Sequence, residues 1–185
     1  MYQQAKIIGE KLFMRGLNNS HSGNISMCNA NTISITRTGS SLDSLTVTDI
    51  VEVDYLPNPV KDKAASMELI VHRAIYNASS KVGAIVHAHP PYAVAVAKNQ
   101  SEIVPYDDEA KYFLKKIPVL SVENSIASVE IAQVIGNYVK DNKAIIIEKH
   151  GVFAWGETLE DAYHYLMVVD SACRINYLIE AKNVT

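Results

Sequence analysis

Cysteine is scarce, with only Cys28 and Cys173 in 185 residues. They lie far apart, fit no metal-ligand spacing and are too few for a disulfide framework, which excludes a cysteine-ligated zinc module and a stapled secreted scaffold. No apolar run is long enough to span a bilayer. Charge of one sign is also missing: Lys and Arg number 17 against 20 Asp and Glu, a net charge of -3. That balance offers no electrostatic basis for a nucleic-acid or anionic-membrane partner. Repeats, low-complexity tracts and linkers are absent, so residues 1–185 are expected to form a single domain, long enough for its own core. The first residues, Met1 to Leu17, read as an amphipathic helix charged throughout and not as a signal peptide. The expectation is therefore a cytoplasmic enzyme.

The chain instead offers alternating strand and helix patterns. Ile7, Ile8, Lys11 and Leu12 begin a helical face that Gly16 ends. After a polar loop, Asn18 to Asn24, the segments Ile25 to Cys28 and Thr32 to Thr36 read as a hairpin. Thr38-Gly39-Ser40-Ser41 is a turn, Ile50 to Tyr55 a strand, and Pro57-Asn58-Pro59 a loop. Ser66 is expected to N-cap a helix reaching about Asn77. Val82 to His87 reads as a buried strand, followed after Pro90-Pro91 by a short helix from Tyr92 to Lys98. Further strands are expected at Val119 to Val122, Ala144 to Ile147 and Val152 to Trp155, and a helix at Val129 to Val139. Thr158 and Asp161 have capping-box spacing and open a long helix to about Ala181. Strands alternate with helices but hairpins are present too, so the sheet is expected to be mixed or antiparallel and flanked by helices.

The strongest local signal is Ala84-Ile85-Val86-His87-Ala88-His89. Residues two apart on a strand share a face, so His87 and His89 can aim both rings at one ion. Histidine pairs also occur on solvated strands, but this pair follows an apolar run and precedes two prolines. A catalytic zinc site takes three protein ligands and keeps one position open. His150, at the end of the strand Ala144 to Ile147 and before Gly151, is the candidate third, although spacing alone does not assign it. Glu68 is the candidate acid/base, in the first turn of its helix where the dipole favours a carboxylate; its other reading is a simple cap. His72 lies four residues on, on the same face, where it could hold Glu68 in place; a structural role is expected of it and not a catalytic one. His21, in a polar loop, and His164, within a helix, read as surface or satisfied histidines.

Ser22-Gly23-Asn24-Ile25-Ser26 and Thr38-Gly39-Ser40-Ser41 are short hydroxyl-rich loops in which glycine permits close backbone approach and successive N–H groups can cradle an anion. Ser66 at a helix start is a third such position. Each is an ordinary turn by itself; beside a metal site they suggest a pocket for phosphate or another oxyanion. Arg37 could add charge or be a solvated surface residue.

In this order, Ser22 to Ser26, Ile35 to Gly39, Ala65 to Glu68 leading to His72-Arg73-Ala74-Ile75-Tyr76, Ile85 to Pro90, and His150-Gly151-Val152 resemble the class II aldolase/adducin family over nearly the whole chain. The resemblance implies a three-layer α/β/α fold with a central, largely antiparallel mixed sheet. It implies Zn2+ on His87, His89 and His150, with Glu68 as fourth ligand or acid/base; Mn2+, Co2+ or Fe2+ could occupy the same ligands. Gly23, Asn24, Thr38, Gly39 and Ser66 carry over as phosphate or substrate contacts. The implied activity is a reversible retro-aldol cleavage of a small ketose phosphate to dihydroxyacetone phosphate and an aldehyde, in a homotetramer with sites between subunits. Two departures stand out. Met67 replaces a second serine before the glutamate, and Val122 falls where the family's aldolase has a tyrosine, with Tyr106 and Tyr112 nearby in sequence. Two other readings remain: a ketose-phosphate dehydratase of the same family, and a non-catalytic, adducin-like interaction module. An epimerase fits less well, because the related epimerases carry Asp at the position of Glu68.

Overall fold

Period-two alternation sorts the strand residues between two cores, one on each face of a single sheet. The computed structural model describes residues 1–182. In chain order the elements are α1 (Tyr2–Met14), β1 (Asn24–Asn29), β2 (Thr32–Thr36), β3 (Ile50–Asp54), α2 (Leu69–Ala78), β4 (Ala84–Ala88), α3 (Pro91–Val96), β5 (Glu102–Ile103), α4 (Asp108–Leu114), β6 (Ile117–Leu120), α5 (Val129–Val139), β7 (Ala144–Ile147), β8 (Gly151–Gly156) and α6 (Leu159–Lys182). The eight strands run β3-β2-β1-β4-β8-β7-β6-β5 across the sheet. Every neighbouring pair is antiparallel except β6–β7, which is parallel. Ala84, Val86 and Ala88 of β4, with Val152 and Ala154 of β8, face α1, α3, α4 and α6. Ile85, Phe153 and Trp155 face the opposite way, into the core under α2 and α5. The result is the expected three-layer arrangement around a mixed, largely antiparallel sheet.

The local signals explain most elements. The hairpin pairs Ser26 with Ile35 and Cys28 with Ile33. Thr158 and Asp161 form a reciprocal cap, Thr158 N–H donating to Oδ2 at 3.0 Å and Asp161 N–H to Thr158 Oγ1 at 3.1 Å. At the end of α1, Gly16 N–H donates to the carbonyl of Phe13 and Leu17 N–H to that of Leu12. This is a Schellman closure, fastened by the buried side chains of Leu12 and Leu17.

Some boundaries differ from the sequence reading. α2 begins at Leu69, with Glu68 as the residue preceding it, so Ser66 is not its N-cap. Instead, Ser66 Oγ accepts the N–H of Glu68 at 3.3 Å and its carbonyl accepts that of Leu69 at 3.0 Å, forming a turn just ahead of the helix. β6 starts at Ile117 and stops at Leu120, not at Val122. Its register is set from both sides, by Ile103 opposite Ile117 and by Ile147 beside Leu120. β5 and α4 carry no hydrophobic periodicity long enough to announce them. α4 does have a legible start, since Asp107 Oδ1 accepts the N–H of Ala110 at 2.8 Å. Both cysteines are free. No helix among the described residues is long and apolar enough to cross a membrane.

α5 lies over the face that carries the candidate site, and Ser128 caps it by accepting the Ile131 N–H at 3.2 Å. Replacing Ser128 by Ala is expected to lower stability by about 1 kcal/mol, read as a shift in the urea midpoint at unchanged slope.

Candidate metal centre

His87 is the fourth of five residues in β4, and its ring lies on the α2/α5 face. It stacks on Phe153 of the neighbouring β8, with ring centroids 4.0 Å apart and planes within 12°. His87 Nδ1 lies 2.9 Å from the Val152 carbonyl oxygen, which can only accept. The ring is therefore protonated at Nδ1 and carries its lone pair at Nε2. His89 follows the strand and turns its Nε2 to within 2.9 Å of His87 Nε2. His150 lies in the three-residue connection between β7 and β8, between Lys149 in the left-handed region (φ 65°) and Gly151. Its ring centroid is 4.8 Å from that of His87 and 5.0 Å from that of His89. One ligand atom from each histidine lies within 4.8 Å of the others.

Two glycines make this approach feasible. A Cβ on Gly151 would stand 2.5 Å from the His89 ring and from the Ala88 carbonyl oxygen. Gly23, at φ 78°, would place a Cβ 2.7 Å from the carbonyl oxygen of His87. Any larger residue at either position would push the strand or the ring aside. On the other side, His89 N–H donates to the Leu17 carbonyl at 2.8 Å and approaches Asn18 Oδ1 at 3.3 Å.

Burial holds the three rings neutral. It is the main cause of the lowered pKa of His87, which the neighbouring His89 and His150 depress further. Burial, then His150, brings His89 to about 4. His150 is also lowered by burial, the Ser125 backbone partly opposing. Neutral imidazoles keep the lone pairs that a cation needs. Glu68, 5% exposed, completes the group: its Oε1 is 3.7 Å from His150 Nε2 and accepts the Ala127 N–H at 2.9 Å. Burial raises the pKa of Glu68, and the Ala127 bond partly offsets it. Glu68 Oε2 and His150 Nδ1 are buried with no hydrogen-bond partner among the described residues. Buried polar atoms seldom stay unpaired. Two such atoms beside converging neutral imidazoles fit a divalent cation held by three nitrogens with a carboxylate at hand.

The other expected residues gather at the same end of β1. The Arg37–Ala65 bridge places the Thr38-Gly39 turn beside Ser66, with Thr38 N–H donating to Ala64 and Ser66 N–H to Thr36. His21 Nδ1 lies 3.1 Å from the Gly39 carbonyl and joins the 18–24 loop to that turn. Gly23, Thr38, Gly39 and Ser66 therefore belong to loops tied directly to one another, and Asn24 opens β1 next to Gly23. Asn24 is paired in register with His87, which puts the two side chains on the same face of the sheet. Arg37 is exposed and donates to the Thr48 carbonyl at 3.2 Å. His72 does not hold the Glu68 side chain. It is fully buried between Asn24 Oδ1 and Ser26 Oγ, each 2.6 Å away. Tyr106 is set against Asn176 and Tyr112 is exposed on α4.

Sequence patterns did not single out Asn18, Phe153 or Ala127. Phe153 was recoverable from the alternation of β8. Ala127 acts through its backbone, which no side-chain pattern reports.

Comparison with known proteins agrees with this geometry. The Class II Aldolase and Adducin N-terminal domain family matches residues 6–177. The chain belongs to that family. It is 33% identical over 157 residues to the L-fuculose phosphate aldolase of Methanococcus vannielii, covering 85% of this chain and 84% of that one. Identity to the corresponding protein of Methanocaldococcus jannaschii is 32% over 171 residues, 92% of each chain. The crystal structure of L-fuculose-1-phosphate aldolase from Thermus thermophilus superposes with a TM-score of 0.94 at 30% identity, covering 100% of this chain and 96% of that one. With the family's fold and a cluster fit for a divalent cation, this class II aldolase family member is a metal-dependent enzyme.

The lowered histidines set a pH dependence for the metal-free protein. His72, fully buried, titrates at about 3 because burial disfavours its charged form, against about 6.5 when unfolded. Below 6.5 the unfolded chain binds a proton that the folded chain refuses, so stability falls with pH. The slope is about 1.4 kcal/mol per pH unit for this residue, and His89 adds to it down to about 4. Urea midpoints measured between pH 7 and pH 4.5 on chelator-treated protein are expected to fall steadily as the pH is lowered.

Proposed function

We propose that the chain is a zinc-dependent aldehyde-lyase that cleaves a small ketose phosphate, reversibly, to dihydroxyacetone phosphate and an aldehyde. The observation that carries this reading is the juxtaposition of three neutral histidines with a buried carboxylate whose second oxygen has no partner among the described residues. His87, His89 and His150 would hold the cation. Histidine ligation favours zinc, although manganese, cobalt or iron suits the same donors. When bound, the cation supplies Lewis-acid stabilisation for the negative charge that carbon–carbon cleavage leaves beside a carbonyl. Glu68 is the group to move a proton at the substrate carbon that bears this charge. Its raised pKa brings it closer to the working pH than an exposed glutamate would be. Ala127 N–H fixes one carboxylate oxygen and leaves the other for the exchange. Gly23, Thr38, Gly39 and Ser66, on the connected loops, and Asn24, at the start of β1, are the proposed contacts for the phosphate.

Met67 is 66% exposed and Ile126 65% exposed, each one residue from a member of the site. Exposed apolar side chains at that rim suit a subunit boundary, in line with a homotetramer with shared sites. A cytoplasmic location accompanies this reading. Dehydration of a ketose phosphate is the second reading, favoured by Val122 in place of a tyrosine, since a dehydratase releases no aldehyde.

The deciding assay couples release of dihydroxyacetone phosphate to NADH oxidation, with L-fuculose 1-phosphate, ribulose 1-phosphate and 5-deoxyribulose 1-phosphate as candidates. Release that requires zinc, and that Glu68→Gln lowers by about 10²- to 10⁴-fold, is the expected result. His150→Ala is expected to lose bound zinc by elemental analysis. Release that survives thorough chelation overturns the reading, and loss of substrate with no aldehyde formed replaces it by dehydration.

A further inference from the structure

Beneath the proposed phosphate contacts lies a chain of buried hydrogen bonds that the proposed chemistry does not use. Tyr76 Oη is 2.7 Å from Ser26 Oγ, which is 2.6 Å from His72 Nδ1. His72 Nε2 is in turn 2.6 Å from Asn24 Oδ1. Ser26 and His72 are fully buried, Tyr76 is 3% exposed and Asn24 4% exposed. Ser26 faces the α2/α5 side because it pairs with Ile85, whose side chain lies in that core.

The proton positions follow from donor and acceptor counting. Asn24 Oδ1 can only accept, so His72 must donate from Nε2. Among the described residues no carboxylate lies within hydrogen-bonding distance of the ring to stabilise a second proton, so His72 is neutral and its Nδ1 accepts. Ser26 then donates to Nδ1 and receives the hydroxyl of Tyr76. Each of the three links then has one donor and one acceptor, all running in the same direction. The row ends by committing the oxygen of the Asn24 amide, which leaves its NH2 end outside the row, on the face of the sheet that Asn24 shares with its register partner His87.

We propose that His72, Ser26 and Tyr76 are positioning residues. They fix the orientation of the Asn24 amide so that it presents donors, never its carbonyl, to an anionic substrate. An asparagine free to flip would turn its oxygen toward an anion half of the time and repel it. The relay removes that state before substrate arrives, which is preorganisation at a position one strand away from the cation site. This inference rests on the sugar-phosphate reading for its substrate but not for its proton arrangement.

The test has two arms. Nitrogen-15 NMR of the chelator-treated wild-type protein is expected to show His72 protonated at Nε2 and bare at Nδ1; a proton on Nδ1 overturns the proposal whether or not any substrate is turned over. In the second arm, His72→Leu is compared with His72→Gln, whose side-chain NH2 can replace the Nε2 donor. With the ketose phosphate that the wild type cleaves, His72→Leu is expected to raise KM about tenfold with kcat within about twofold. His72→Gln is expected to return KM to within about threefold of wild type. Equal losses in both variants would make His72 a packing residue, and no loss in either would show that Asn24 needs no guide; both outcomes overturn the proposal. A wild type that cleaves no candidate substrate would instead count against the proposed function, and the first arm would still decide the relay.

Discussion

His87 stands where the three central strands meet, and its placement organises everything around it. On one side β1 sets Asn24 opposite it; on the other β8 sets Phe153 against its ring and the Val152 carbonyl against Nδ1. The carbonyl fixes the tautomer, the phenyl ring fixes the plane, and together they aim one lone pair at His89 and His150. Because the side-chain period of a strand is two, a slip of one residue in either pairing would turn His87 into the core under α1 and α6. The apolar alternation of β4 and β8 therefore does more than fill two cores. It guarantees the face on which the histidine appears.

Around this fixed ring, the other participants come from connections. His89 follows a strand end, His150 occupies a hairpin turn, Glu68 immediately precedes a helix, and Ala127 lies in the segment leading to α5. Each is restrained by backbone bonding: His89 by Leu17, His150 by Ile147, Glu68 by Ser66 and by the Ala127 N–H. The site is thus a rigid centre with a periphery of turns, the usual division between scaffold and function.

Much of this could be read from the residues. The His87-Ala88-His89 spacing, the strand that carries it and the hairpin of β1 and β2 follow from period-two patterning. The family resemblance joined His150, Glu68 and the loop residues to them across the chain. What escaped was of two kinds. The start of α2 moved because Ser66 bonds inward in a turn instead of capping, a choice that depends on its pairing with Thr36 on a distant strand. Asn18, Ala127 and the row from Tyr76 to Asn24 escaped because their roles are set by three-dimensional partners 46 to 71 residues away in sequence. His72 shows the difference well: helical spacing put it near Glu68, yet its hydrogen bonds go to β1.

The closure of α1 carries a consequence for how the two faces of the sheet communicate. Leu17 both completes the helix terminus, through its N–H to Leu12, and receives the N–H of His89 through its carbonyl. One peptide residue is thereby shared between the layer of α1 and α6 and the histidine cluster on the opposite face. Unwinding the last turn of α1 would withdraw the anchor of His89 without touching any side chain of the site. Conversely, anything that tightens the histidines would protect the end of α1 from solvent exchange. The first helix is in this sense a mechanical extension of the centre, and its amide protection is a remote gauge of whether the three rings are held together.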